Sequence, residues 1–309
     1  MAQDVIKGLG KPQKCIPPKY FYDEKGSQLF DQICQLREYY PTRTEMALLQ
    51  AHREDFAQCI SSNGTILELG SGSSLKIRLL LEAVRPAAYV AVDISKAHLL
   101  QAVQALARRY PWLEVHAVCA DLTTEWKLPF SPKGAITAFY PGSSIGNFSP
   151  SQAVQLLTRV AHLVGSGGGL LIGVDLKKDT SILELAYNDA KGITAAFNFN
   201  LLERINRELQ GNFVLNQFTH VARYNQPEGR IEMHLVSLLD QEVSVGGKSF
   251  AFKKGESLHT ENSYKYHVEE FQMMAKQAGF LPQKVWVDDQ NLFSIHYLVA
   301  ENSSIPVTE

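Results

Sequence analysis

The stretch "ILELGSGSSLK" at residues 66–76 sets two glycines where a ligand must approach the backbone. Its apolar run, Ile66, Leu67 and Leu69, reads as a buried strand that stops at Gly70 and Gly72. An amphipathic helix, "SLKIRLLLEAV", follows. Glycine carries no Cβ, so such a turn lets backbone N–H groups close on a ligand. Asp93 ends the next apolar run, about twenty residues beyond Gly70, where a carboxylate accepts bonds from ribose hydroxyls. Asp121 follows a third run, where a second acid can accept from an adenine amino group. A helix cap or a solvated strand end is the plainer alternative for a single Asp at such a site. Lys76, one turn into the helix, is placed to pair with a ligand carboxylate, and a solvated helix lysine is its alternative. The turn is half of a dinucleotide fingerprint, because the third glycine of G-x-G-x-x-G would fall at Leu75. No Walker loop occurs.

These residues need a sheet to hold them at one edge, and the sequence supplies it. "AYVAVDI" (88–94) reads as a second strand and "SKAHLLQAVQALARRY" as the helix after it. "EVHAVCADL" (114–122), "AITAFYPG" (135–142) and "LLIGVDL" (170–176) read as three more strands. Ser149, Pro150 and Gln152 form a capping box with proline at the first helical position. Repeated strand–helix units imply a parallel sheet covered on both faces. At the end, the helix "HVEEFQMMAKQAGF" precedes the strands "KVWVDD" and "FSIHYLVAE". The short link "QNL" between them makes that pair antiparallel. Five βα units closed by such a hairpin are the layout of S-adenosylmethionine-dependent methyltransferases rather than of nicotinamide dehydrogenases. The expected fold is α/β: a class I methyltransferase Rossmann-like sheet with a C-terminal β-hairpin, plus an α+β subdomain.

The subdomain is expected from the N-terminal extension and an insertion. Ser181 and Glu184 read as a capping box opening "ILELAYNDAKGITAAFNFNLLERINREL", a helical region interrupted around Gly192. "FTHVARYN", "RIEMHLVSLL", "QEVSVG" and "KSFAFKKGESLHTE" then read as strands separated by "QPEGR" and "GGK" turns. Thr42 and Glu45 read as another capping box. The domain reading is 40–176 with 266–309 for the methyltransferase core, and 1–39 with 177–265 for a substrate-binding subdomain.

Composition narrows the class. The chain has 309 residues, 45% hydrophobic and 20% charged, with net charge −2, as a globular protein with a real core would have. No Lys/Arg block favours a polyanion, no apolar run reaches membrane-spanning length, and the N-terminus has no apolar signal core. The four cysteines, Cys15, Cys34, Cys59 and Cys119, form no C-x-x-C pair. A cytoplasmic monomer acting on a small molecule is expected, without nucleic-acid, membrane or metal partners.

The blocks "IPPKYFYD", "GSQLFDQI", "EYYPTRTE", "LELGSGSSLKIRLLL", "GSSIGNFSP", "LLIGVDLKKD", "AYNDAKGITAAFNFNLLERINREL", "HVARYN", "RIEMHL" and "HTENSYKY" are specific. From about Pro17 to the last strand they resemble, in order and spacing, the histidine Nα-methyltransferases of ergothioneine biosynthesis. The resemblance implies S-adenosyl-L-methionine as donor and free L-histidine as acceptor. It implies three successive methylations of the α-amino nitrogen, giving hercynine, Nα,Nα,Nα-trimethyl-L-histidine.

By the same resemblance Gly70, Lys76, Asp93, Asp121 and Leu122 hold the cofactor, with Tyr22 and Phe30 as aromatic neighbours. Tyr39, Asn147, Tyr187 and the segment Glu261, Asn262, Ser263 hold histidine, with Tyr39 and Asn147 closest to the chemistry. Met233 borders the imidazole. Leu122 stands where a Phe is more usual, which removes a stacking surface near adenine. A cation is attracted to a ring face, so aromatic groups suit the surroundings of a sulfonium ion.

The chemistry itself is an in-line displacement needing a neutral amine lone pair, so positioning and a route for proton loss dominate. No nucleophilic Cys, Ser–His pair or metal cluster is required. The nine histidines show no H-x-x-x-H or H-E-x-x-H spacing. Nucleic-acid amine methylases usually carry Asp/Asn/Ser-Pro-Pro-Tyr/Phe after the fourth strand, and this chain has "FYPG" there. The alternatives are an N-methyltransferase of another aromatic amino acid, such as a tryptophan derivative, a nicotinamide-linked oxidoreductase, and a non-catalytic binding subunit.

Overall fold

The computed structural model describes residues 1–72, 75–124 and 126–301. The chain divides into two compact units, residues 1–40 with 178–264 and residues 41–177 with 265–309. It begins in the first unit with α1 (Ala2–Leu9), β1 (Lys14–Cys15) and α2 (Glu24–Ile33). It then runs through α3 (Tyr40–Ala51), α4 (Arg53–Cys59), β2 (Thr65–Leu69), α5 (Leu75–Val84), β3 (Ala88–Asp93) and α6 (Lys96–Arg109). β4 (Glu114–Cys119), β5 (Ile136–Tyr140), α7 (Pro150–Val164) and β6 (Gly169–Asp175) follow. The first unit resumes with α8 (Thr180–Tyr187), α9 (Ile193–Leu209), β7 (Phe218–Asn225), β8 (Arg230–Ser237), β9 (Gln241–Val245), β10 (Lys248–Phe252) and β11 (Ser257–Tyr264). α10 (Val268–Gln277), β12 (Phe280–Val287) and β13 (Phe293–Ala300) close the second unit. None of the described helices is long and apolar enough to cross a membrane.

The second unit is built on a seven-stranded sheet of order β12-β13-β6-β5-β2-β3-β4. β2 to β6 are parallel, and β13 runs antiparallel to both β6 and β12. β2, β5 and β6 are buried along their whole length, which is why they read as unbroken apolar runs rather than alternating ones. Ile66, Tyr89, Phe139 and Leu171 from the sheet pack with Phe56 of α4 and Leu80 and Leu81 of α5. Connections leave β2 toward β3 on one side, while β5 lies on the other, so the strand order reverses there. Ligands of open α/β sheets bind beyond the carboxyl ends of the strands at such a point. Between β4 and β5 no helix lies among the described residues, so the strict strand–helix alternation expected from sequence breaks at that crossover.

The first unit holds a four-stranded sheet, β1-β11-β8-β7, and a separate β9–β10 hairpin. "KSFAFKKGESLHTE" is two strands, not one. Lys253 and Glu256 close a turn between β10 and β11, with Lys253 N donating to Glu256 Oε2 at 2.8 Å and Glu256 N to Lys253 O at 2.9 Å. Asp23 caps α2 by accepting from Gly26 N at 2.8 Å. Burial opposes its charge, yet Gly26, Asn200 and Arg207 together hold its carboxyl below the usual range.

Two expected caps are different in the structure. α8 is capped by Asp179, whose Oδ1 accepts from Ser181 N at 2.8 Å, and Glu184 instead accepts from Tyr224 N at 2.9 Å. α3 starts at Tyr40, so Thr42 is already inside the helix and Glu45 turns inward. Ser149 caps α7 with Gln152 as the capping box predicted.

Candidate active site

In the second unit the carboxyl ends of β2, β3 and β4 carry Gly70, Asp93 and Asp121. Gly70 and Gly72 adopt φ of +70° and +46°, which a side chain would resist, and a Cβ on either would meet no atom of the described residues within 4 Å. Among the described residues the turn is therefore open on its bare side. Ser73 and Ser74 of the same stretch lie outside the described residues. Asp93 holds the turn from below, with Oδ2 accepting from Gly72 N at 3.1 Å and Oδ1 from Ser95 N at 2.8 Å. A carboxylate has about four acceptor positions, so two such bonds leave capacity for hydroxyl donors. Asp121 Oδ1 accepts from Thr123 N at 2.8 Å and Thr123 Oγ1 at 2.6 Å, and Leu122 beside it is half-buried.

Lys76 is the second residue of α5, and its ammonium pairs with the carboxylate of Glu45. Glu45 is fully buried and accepts from Gly142 N with both oxygens, at 3.0 and 2.9 Å. Gly173 of β6 makes room for it, since a Cβ there would stand 2.0 Å from Glu45 Oε1. Sequence reasoning missed this acid by reading it as a cap. The available signal was its spacing: Glu45, Leu48 and Leu49 occupy one buried helix stripe, where an unpaired acid is not tolerated. Glu68 on β2 is a second missed acid. Burial raises its pKa to about 8, against a bond from the Tyr89 hydroxyl.

Asn147 ends a short 3-10 turn, Ser144–Asn147, reached through two left-handed residues, Gly142 (φ +79°) and Ser143 (φ +54°). A non-glycine residue in that region costs about 1–3 kcal/mol and persists only where its surroundings fix it. Ser143 Oγ accepts from Asp175 N at 2.9 Å, and Ser144 Oγ donates to Pro141 O at 3.0 Å. Asp175 in turn holds a buried ion pair with Lys265 at 2.6 Å. The Asn147 loop is thus tied to β6 and, through Gly142, to α3.

In the first unit the aromatic residues form a continuous edge-on series. Ring centroids lie 5.8 Å apart for Tyr22–Phe30, 6.3 Å for Phe30–Tyr39 and 6.0 Å for Tyr39–Tyr187. Phe197 of α9 packs on Phe21, Tyr22 and Phe30. Burial pushes the Tyr39 hydroxyl well above its ordinary pKa, and Tyr187, Cys34, Tyr22 and Glu261 push the same way. Tyr39 is therefore a neutral hydroxyl at physiological pH. The Tyr187 hydroxyl donates to Ser263 Oγ at 2.8 Å. Register pairs Glu261 with Met233, and Met233 with Ala222, so these share one face of the sheet with Ser263. Strand alternation sends Asn262 to the opposite face, where it pairs in register with Glu232. The structure thus gathers Tyr39, Tyr187, Met233, Glu261 and Ser263 and leaves Asn262 outside that group. No group of three metal-ligating side chains occurs among the described residues.

A parallel sheet closed by an antiparallel hairpin, with an open glycine turn and an acid at the next strand end, defines a class I S-adenosylmethionine-dependent methyltransferase. Residues 1–300 match the family model described as histidine-specific methyltransferase, SAM-dependent, and the chain belongs to that family. It is 40% identical over 302 residues to the histidine N-alpha-methyltransferase of Mycobacterium tuberculosis (strain CDC 1551 / Oshkosh), covering 96% of this chain and 93% of that protein. The protein of the same name from Mycolicibacterium smegmatis is 39% identical over 306 residues, covering 97% and 94%. Ergothioneine biosynthesis protein 1 of Neurospora crassa is 31% identical over 298 residues, which span 94% of this chain and 33% of that one. The methyl donor is S-adenosylmethionine, and the open turn and the spare acceptor positions of Asp93 fit it.

Proposed function

We propose that the protein transfers methyl groups from S-adenosylmethionine to the α-amino nitrogen of L-histidine, three times in succession, giving hercynine. The observation that carries this reading is the polar and apolar grouping on one sheet face: Glu261 and Ser263 beside Met233, with the Tyr187 hydroxyl on Ser263. An imidazole has an N–H to donate and a flat apolar body. Glu261 supplies an acceptor, Ser263 and Tyr187 supply hydroxyls, and Met233 supplies an adaptable apolar wall.

Bound S-adenosylmethionine supplies an electrophilic methyl on a sulfonium. Asp93 accepts ribose hydroxyls, Asp121 the adenine amino group, and Tyr22 and Phe30 offer ring faces to the cation. Asn147 bonds the amino acid near its reacting nitrogen, and Tyr39 orients that nitrogen through a neutral hydroxyl. The amine must react unprotonated and shed a proton after the first and the second transfer, while the third leaves a quaternary ammonium with no N–H to lose, so placement supplies most of the rate. Three transfers to one nitrogen require room for a growing, finally cationic ammonium group.

The test is direct. Purified protein is incubated with S-adenosylmethionine and each of the twenty amino acids, and masses are followed for gains of one, two and three methyl groups. Histidine alone should reach the trimethyl product. Trimethylation of tryptophan with histidine untouched would overturn the substrate, and a dimethyl end point would overturn the product.

A further inference from the structure

α8 ends at Tyr187, and the chain then docks on β7 at two successive inward positions, His220 and Ala222. Asn188 pairs with Ala222 as a strand would, its Nδ2 donating to Ala222 O at 2.9 Å and its Oδ1 accepting from Ala222 N at 3.3 Å. His220 takes the residue before it. Its Nε2 donates to the carbonyl of Tyr187 at 2.9 Å. Its Nδ1 accepts from Asn198 Nδ2 at 2.9 Å, and the same Nδ2 donates to His234 O at 3.1 Å. Asn198 is fully buried on α9, so a flipped amide would turn its oxygen toward the His234 carbonyl. The donor assignment fixes the tautomer: Nδ1 bare, Nε2 protonated. Tyr187 therefore spans the sheet, held by its main chain at β7 and by its hydroxyl at β11, with β8 between.

We propose that His220 is a positioning residue for the methyl acceptor: braced by Asn198, it fixes the main chain of Tyr187 and so the aim of the Tyr187 hydroxyl over the face bearing Met233 and Glu261. The inference rests on the reading that this face holds histidine. Burial favours the neutral ring that the brace needs, against the Tyr187 carbonyl and Asp189, which favour the charged form. A neutral imidazole can accept from Asn198 and donate to Tyr187 at once. An imidazolium would set Nδ1–H against the Asn198 donor.

The test compares His220→Leu, His220→Gln and His220→Asn with the wild type for KM and kcat with histidine, S-adenosylmethionine affinity and melting temperature. Glutamine places an N–H the same number of bonds from Cα as histidine Nε2, whereas asparagine is one bond short. Loss of the bond should raise KM for histidine about tenfold in the Leu and Asn variants, one hydrogen bond's worth. kcat should stay within about threefold, the mark of lost uniform binding. Cofactor affinity should hold within about twofold, and Gln should bring KM back to within about threefold of wild type. Should the Leu variant not fold, the Asn–Gln pair decides the matter alone. Equal KM in Asn, Gln and wild type overturns the proposal, as does a fall in melting temperature and kcat with KM unchanged. A wild type inactive on histidine overturns the functional reading and this inference with it, whereas an active wild type with unmoved variants overturns only the latter.

Discussion

Glu45 and Gly142 are 97 residues apart in sequence, and both oxygens of the buried carboxylate accept from that one backbone amide. The same carboxylate pairs with Lys76, so α3, α5 and the loop leading to Asn147 meet on one side chain. Glu45→Ala should cost about 3–5 kcal/mol, because it strands a largely buried ammonium and an amide N–H. Urea unfolding midpoints measure this, and a loss under about 1 kcal/mol would mean that the three elements hold one another without it.

Asp93→Ala should weaken S-adenosylmethionine binding by about 1.5–3 kcal/mol, the range for a bond to a charged group. Isothermal titration of the purified variant reads it directly. Unchanged affinity would falsify the ribose role. Lys76→Ala should cost less than about 1 kcal/mol of cofactor affinity, since Glu45 already neutralises the ammonium. The same change should lower folding stability by leaving Glu45 buried and unpaired.

Glu261→Ala should cost about 2–4 kcal/mol in kcat/KM for histidine and far less for a ring with no matching N–H. Competition between histidine and tryptophan, for wild type and variant, gives the ratio. Met233→Val added to Glu261→Ala should favour the bulkier indole further. If the histidine preference moves by less than about twofold, Glu261 does not read the imidazole.

Acid should loosen the first unit before its carboxylates titrate. His234 is buried against Glu232 and stacked on His259, ring centroids 4.7 Å apart. Burial first, then His259 and Arg223, lower its pKa to about 4, although Glu232 opposes this. An unfolded histidine takes its proton below about 6.5, so the stability His234 contributes is full above that value and is lost as pH falls toward 4. Between roughly pH 7 and pH 5 the loss is about 2 kcal/mol. His220 and His259 of the same unit are lowered too and add the same sign. Glu232 sits at about 2 and stays charged throughout. Denaturant midpoints at both pH values should converge in His234→Gln relative to wild type, and an equal pH dependence in the two would refute the assignment.

β2, β3, β5 and β6 were legible because buried parallel strands leave unbroken apolar runs, and "QNL" is too short for anything but an antiparallel return. The crossover from β4 to β5 was harder, since no periodic signal marks a connection that has no helix among its described residues. Capping motifs misled at Thr42 and Ser181 for one reason: the motif is local, but which residue starts a helix depends on what the next turn packs against. Asp179 had the better oxygen for α8, and Tyr40 already opened α3. Glu45 was hidden for the same cause, because its partner amide lies far along the chain. Among the positions taken from the family resemblance, period-two alternation alone separates Asn262 from Glu261 and Ser263.

Strand β1 pairs with β11, Lys14 against Leu258, and β13 pairs with β6. Each unit is therefore assembled from two distant stretches of chain. During synthesis the opening segment leaves the ribosome long before the strand that completes its sheet, and β6 waits in the same way for the terminal hairpin. Closing such loops costs entropy before any contact rewards it. A nascent chain halted before β11 would expose β8 as a raw sheet edge, the template on which other chains add. Neither sheet can close until the later of its two stretches has been made.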